Sequence, residues 1–181
     1  SLDGRAVTAL HRAGVEGIVP VTYVNSAAAL KAFCGRNGGI VCTSSNAAAV
    51  LRWAFERGER VFFFPDQHLG RNTGYQLGWT EADMPVWNPR LVRGGLTEAD
   101  VKEATLLLWQ GHCSVHQRFR PEHVHAFRAQ HPGGVVIVHP ECAHDVVAMA
   151  DRVGSTERIL DWVEDAPAGT VLGVGTEIHM V

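Results

Sequence analysis

Six short apolar runs punctuate an otherwise mixed chain: residues 18–24 (IVPVTYV), 39–42 (GIVC), 61–64 (VFFF), 106–109 (LLLW), 135–138 (VVIV) and 171–174 (VLGV). Each run is continuous rather than alternating, which is the pattern of strands covered by helices on both faces of a parallel sheet. Between them lie stretches with helical spacing. Residues 27–33 and 46–57 are Ala-rich, 121–130 opens with Pro121 at a position that suits a first helical turn, and 143–152 and 155–163 complete the set. Thr97-Glu98-Ala99-Asp100 has the spacing of a capping box and predicts a helix leading into LLLW. Strand–helix alternation of this kind predicts an α/β fold with right-handed crossovers.

The rhythm breaks between Asp66 and Leu96, where Gly70, Gly74, Gly78, Pro85, Pro89 and the Gly94-Gly95 pair accumulate. A partly helical, irregular excursion is expected there, closing a first αβα unit over 16–110. A second, incomplete unit follows over 111–181, and 1–15 reads as the end of a preceding unit or a lead-in helix.

Composition narrows the class. The 181 residues are 46% hydrophobic, too apolar for a disordered chain, and carry a net charge of −3, which gives no signature of nucleic-acid or membrane-surface binding. No apolar run approaches the ~20 residues that span a bilayer. The N-terminus shows no signal-peptide pattern, so a cytoplasmic protein is expected. The four cysteines, Cys34, Cys42, Cys113 and Cys142, form no CxxC pair, which excludes a self-contained zinc ribbon or ferredoxin-type cluster. The chain starts at Ser1 without methionine and stops at Val181 directly after an apolar run, and it reads as a fragment.

Ligands of open α/β sheets bind where strands end and helices begin, and these junctions are polar here. Tyr23 and Asn25 share side-chain parity at the end of the first run and are expected to face one cleft, unless Tyr23 closes the core edge and Asn25 makes a local turn. Ser44, Ser155 and Thr156 place hydroxyls at helix N-termini, as anion ligands or as plain caps. His112, Cys113 and His116 form an HCxxH cluster whose first and last members would share a helical face and whose thiolate and imidazoles suit a metal. His139 and Glu141 flank Pro140 and are expected on one side of the chain, as a proton-transferring pair or as a helix entry. Cys34, Cys42 and Cys142 are assigned to packing, and His11, His123, His125 and His131 to solvated helix surfaces.

Taken in order, YVN (23–25), LKA (30–32), CTSSNA (42–47), FFPDQHLGRNTG (63–74), WQGHCSVH (109–116), HPEC (139–142), DRVGST (151–156) and GTE (175–177) resemble the quinolinate synthase family, iron–sulfur enzymes of NAD biosynthesis. The resemblance implies three similar αβα units about a pseudo-threefold axis with the active site where they meet. It also implies condensation of iminoaspartate with dihydroxyacetone phosphate to quinolinate, phosphate and water. A [4Fe–4S] cluster held by three cysteines would leave one iron open as a Lewis acid. L-aspartate oxidase, which supplies iminoaspartate, is the implied partner.

Position by position, the resemblance makes Cys113 a cluster ligand. It makes Tyr23, Val24, Asn25, Ser44, His139, Pro140, Glu141, Ser155 and Thr156 substrate-contacting positions. Glu141, Tyr23 and His116 become the catalytic residues, Glu141 and Tyr23 as the acid–base groups and His116 as a near-site histidine. The family's first unit and its last cysteine have no counterpart, so the chain is expected neither to build the cluster nor to turn over alone. Residues 33–42 are longer than the family's commoner version, and Cys34 within them is not a ligand. Two other readings compete: a non-catalytic anion-binding α/β module or cluster-free relative, and a zinc hydrolase built on His112, Cys113 and His116.

Overall fold

The computed structural model describes residues 16–177. The expected element over 1–15, and His11 with it, lies outside the described residues. The chain divides into two compact units, Ser1–Gly111 and His112–Val181.

In the first unit, β1 (Ile18–Tyr23), α1 (Ala28–Arg36), β2 (Ile40–Cys42), α2 (Ala47–Phe55), β3 (Arg60–Phe64), α3 (Gln67–Gln76), β4 (Val86–Trp87), α4 (Glu98–Glu103) and β5 (Leu106–Trp109) follow in sequence. The five strands form one parallel sheet in the order β2-β1-β3-β5-β4. Alternation along each strand sorts its side chains onto two faces. Phe62, Phe64, Leu107 and Trp109 pack on one side with Leu30 and Cys34 of α1 and Val101 of α4. Val61, Phe63, Leu106 and Leu108 pack on the other with Val50, Leu51 and Ala54 of α2 and Leu69 of α3. The continuous apolar runs are thus explained by helix layers on both faces.

Two local devices shape the ends of these elements. Asp66 caps α3, its Oδ1 accepting the backbone N–H groups of His68 at 2.8 Å and Leu69 at 2.9 Å. The expected capping box before α4 forms, with Thr97 Oγ1 accepting from the Asp100 N–H at 3.1 Å and Asp100 Oδ2 accepting from the Thr97 N–H at 2.8 Å. The irregular stretch contains one regular helix, α3, whose Gly70 lets the helix lie directly on the side chains of Leu108 and Phe63. The two-residue strand β4 in that stretch is too short for any periodicity to announce.

The second unit runs through α5 (Pro121–Gln130), β6 (Val135–Val138), α6 (His144–Met149), β7 (Arg152–Val153), α7 (Thr156–Glu164) and β8 (Leu172–Gly175). Its parallel sheet has the order β7-β6-β8. Val136 and Val138 pack with Val124 of α5 and Val146 of α6, while Ile137 points to the opposite face. The expected helix over 143–152 stops at Met149. Asp151 ends it: its Oδ2 accepts the Val136 N–H at 2.7 Å and directs the chain into the edge strand β7.

In each sheet the strand order switches sides at an inner strand: β2 lies on one side of β1 and β3 on the other, and β6 is flanked in the same way by β7 and β8. The carboxyl ends of β1 and β3, and of β6 and β8, therefore border the crevices where such sheets take ligands.

Candidate functional site

The carboxyl end of β6 carries the densest chemistry of the second unit. Val138 is the last strand residue, and His139, Pro140 and Glu141 turn away from it, all three buried. The His139 N–H donates to the Gly175 carbonyl at 3.0 Å, which fastens the turn to the end of β8. The Glu141 N–H donates to His139 Nδ1 at 3.2 Å. Glu141 Oε2 then lies 3.2 Å from His139 Nδ1 and 3.6 Å from His116 Nδ1. The two imidazole rings stack, 4.6 Å between centroids and 17° apart. The expected pairing of His139 with Glu141 is realised, and His116 joins it.

Cys113 completes the group. One ligand atom each from Cys113, His116 and Glu141 lie within 4.8 Å of one another, with Cys113 half-buried and the other two buried. His112 does not share a face with His116. The chain turns through Ser114 and Val115 and begins a short 3-10 helix only at His116, which leaves His112 exposed. The zinc hydrolase reading built on His112 loses that residue, and Glu141 stands in its place.

Both imidazoles are held neutral at pH 7. Burial is the main cause for each: it lowers His116, against an opposing pull from the Glu177 carboxylate, and lowers His139 to about 3 with help from neighbouring His116. The close contacts to Glu141 are therefore not ion pairs but a buried carboxyl group facing two neutral rings, an arrangement suited to holding or passing a proton. His139 ordinarily titrates near 6.5, so between pH 6.5 and 3 the unfolded chain binds a proton that the folded one does not. Stability should then fall on acidification by up to about 1.4 kcal/mol per pH unit. Urea titrations of the metal-free chain at pH 7.5 and 5.0 should differ by about 2 kcal/mol, and His139→Gln should flatten that dependence.

The first unit presents its own polar junctions. Tyr23 ends β1 and is buried. The strand ends at Tyr23, and Val24-Asn25 form an exposed turn after it. Ser44 lies in the turn before α2. Asn46 takes the N-cap position, and its Oδ1 accepts the Thr43 N–H at 2.7 Å. In the second unit Ser155 caps α7, its Oγ accepting from the Arg158 N–H at 3.5 Å, and Thr156 is the first helical residue.

Four further residues shape the strand ends without being candidates in the sequence. Asp66, buried at the end of β3, organises the PDQ turn; the Gln67 N–H of that turn donates to the Gly111 carbonyl at 2.9 Å. Gly111 is required there, since a Cβ would collide with the Pro65 carbonyl oxygen. Thr176 and Glu177 follow β8, where Thr176 Oγ1 is buried without a hydrogen-bond partner. The GTE triplet at a strand end was the available signal.

Cys34, Cys42 and Cys142 are wholly buried, and burial pushes the Cys42 thiol up to about 12. Maleimide applied to the native reduced chain should modify Cys113 and leave the other three until urea is added. Mass spectrometry of the labelled peptides reads the outcome.

Residues 2–181 match the family model described as quinolinate synthetase A protein. Over 167 residues the chain is 60% identical to the quinolinate synthase of Rhodopirellula baltica, an alignment covering 92% of this chain and 43% of that one. It is 54% identical over 168 residues to the quinolinate synthase of Acidobacterium capsulatum, with 93% and 45% covered. With the quinolinate synthase of Streptomyces coelicolor it shares 53% over 174 residues, with 95% and 44% covered. The chain thus spans under half the length of these curated relatives. Matched along almost its entire length, the chain belongs to the quinolinate synthetase A protein family.

Proposed function

We propose that this chain supplies two of three αβα units of a cytoplasmic quinolinate synthase, which joins iminoaspartate and dihydroxyacetone phosphate into quinolinate with release of phosphate and water. The observation that carries the reading is the convergence of Cys113, His116 and Glu141 at the strand ends of one unit. The units 16–110 and 111–181 correspond in this reading to the family's middle and last units, and L-aspartate oxidase is the source of the iminoaspartate.

A [4Fe–4S] cluster is the family's implied cofactor, and the donor chemistry fits one corner of it. Cys113 is half-buried and next to other ligating groups, as a cluster thiolate should be, while the other three cysteines are sealed in apolar packing. The described residues therefore offer one thiolate to the cluster. When bound, the cluster supplies a Lewis-acidic iron for the dehydration.

The chain's own residues have separate tasks. Glu141 moves protons at the condensing carbons, with His139 orienting its carboxyl group and His116 bordering the pocket. Tyr23 acts with Glu141 as the second acid–base group. Val24, Asn25 and Ser44 in the first unit, and Pro140, Ser155 and Thr156 in the second, receive the substrates, with the α7 N-terminus favouring an anionic group.

A chimera tests the proposal. This chain, placed in the R. baltica quinolinate synthase in exchange for the segment it matches, should yield a protein that makes quinolinate after anaerobic cluster loading. A folded chimera that holds the cluster yet forms no quinolinate would refute the reading.

A further inference from the structure

His116 is 3% exposed, and neither of its ring nitrogens has a hydrogen-bond partner. Its Nδ1 is 3.6 Å from Glu141 Oε2, too long for a hydrogen bond. That spacing is close to a different requirement. Two nitrogen or oxygen ligands of one tetrahedral cation, each at about 2.0–2.1 Å, stand about 3.3 Å apart, and a thiolate at about 2.3 Å stands about 3.5 Å from either. Cys113, His116 and Glu141 offer one sulfur, one nitrogen and one oxygen, all within 4.8 Å of one another. Bound to one cation, the three atoms would close to these spacings.

We infer that, in the cluster-free state, this chain binds a single borderline divalent cation, zinc or iron(II), through Cys113, His116 and Glu141, with a fourth position left to water. Thiolate, imidazole and carboxylate together match zinc and iron(II) better than magnesium or calcium, which prefer oxygen alone. The inference is independent of the condensing reaction, since it uses a mononuclear site with one thiolate, one imidazole and one carboxylate rather than a cluster held by three cysteines. It also has a consequence for loading: a cation on Cys113 withholds that thiolate from a cluster, so zinc and cluster compete.

Cobalt(II) is the probe. The reduced, chelator-stripped 181-residue chain, titrated anaerobically, should take up one cobalt per chain. The complex should show the intense visible bands of tetrahedral cobalt and a sulfur-to-cobalt charge-transfer band in the near ultraviolet. Cys113→Ser should abolish the charge-transfer band, while His116→Gln and Glu141→Gln should weaken binding by about tenfold or more. Circular dichroism checks that each variant folds. A second measurement needs no variant: one equivalent of zinc should protect Cys113 of the wild-type chain from maleimide. Weak octahedral bands with no charge-transfer band would mean an adventitious ion only, held by surface histidines such as His123 and His125, and would overturn the site. Retention of the charge-transfer band in Cys113→Ser, or unprotected Cys113 in zinc-saturated protein, would do the same.

Discussion

Replacing Glu141 with glutamine in the R. baltica chimera should lower quinolinate formation by about 10²–10⁴-fold, the usual scale of a lost general acid–base group. The carboxyl group is buried and 3.2 Å from His139 Nδ1, and the turn bearing it is fastened at two points, by the His139 N–H to Gly175 and by the Glu141 N–H to His139. Glutamine keeps the volume and one acceptor oxygen but cannot carry the proton. Folding and cluster content should therefore be preserved while kcat falls. Steady-state quinolinate assays, paired with circular dichroism and the cluster's visible absorbance, separate these effects. A variant within about threefold of the parent would remove Glu141 from the chemistry and leave it a positioning role.

The largest expected loss of stability lies in the first unit. Phe63 occupies β3, the middle strand of five, and is wholly buried between β1 and β5 and under α3. Gly70 of α3 lies directly against its ring, so no side chain stands on that side to fill the space that truncation leaves. Phe63→Ala should cost about 3–5 kcal/mol, a large share of the roughly 5–15 kcal/mol that holds a domain together. Val92, 92% exposed, is the control, and Val92→Ala should stay within about 0.5 kcal/mol. Urea midpoints of the two variants against the parent provide the comparison. A loss below about 1 kcal/mol for Phe63→Ala would show that the core closes over the cavity.

The six apolar runs of the sequence became β1, β2, β3, β5, β6 and β8 with end shifts of at most one residue. Hydrophobic continuity reports burial on both faces, and that is a local property of the run. The two strands it did not announce, β4 and β7, are two-residue edge strands, held by neighbours that lie distant in the chain. The His139–Glu141 pairing was legible because two residues of separation survive a turn that keeps both side chains on one side. Strand parity does not reach Asn25, because it applies only while the strand lasts and β1 ends at Tyr23. Helical spacing does not relate His112 to His116 for a matching reason: the chain makes a turn between them.

The four cysteines showed nothing of a metal site through their spacing, since no two are close enough in sequence to act together. The sequence by itself determined the α/β class, the parallel strands and the polar strand ends, because periodicity and capping are set by neighbours a few residues apart. It also carried the motifs that mark the family. Only the tertiary structure decided that Glu141, 28 residues beyond Cys113, comes together with Cys113 and His116 while adjacent His112 faces solvent. That choice depends on where β6 and β8 end and on how the turn after β6 is tied to Gly175, which are contacts across the sheet that no local pattern encodes.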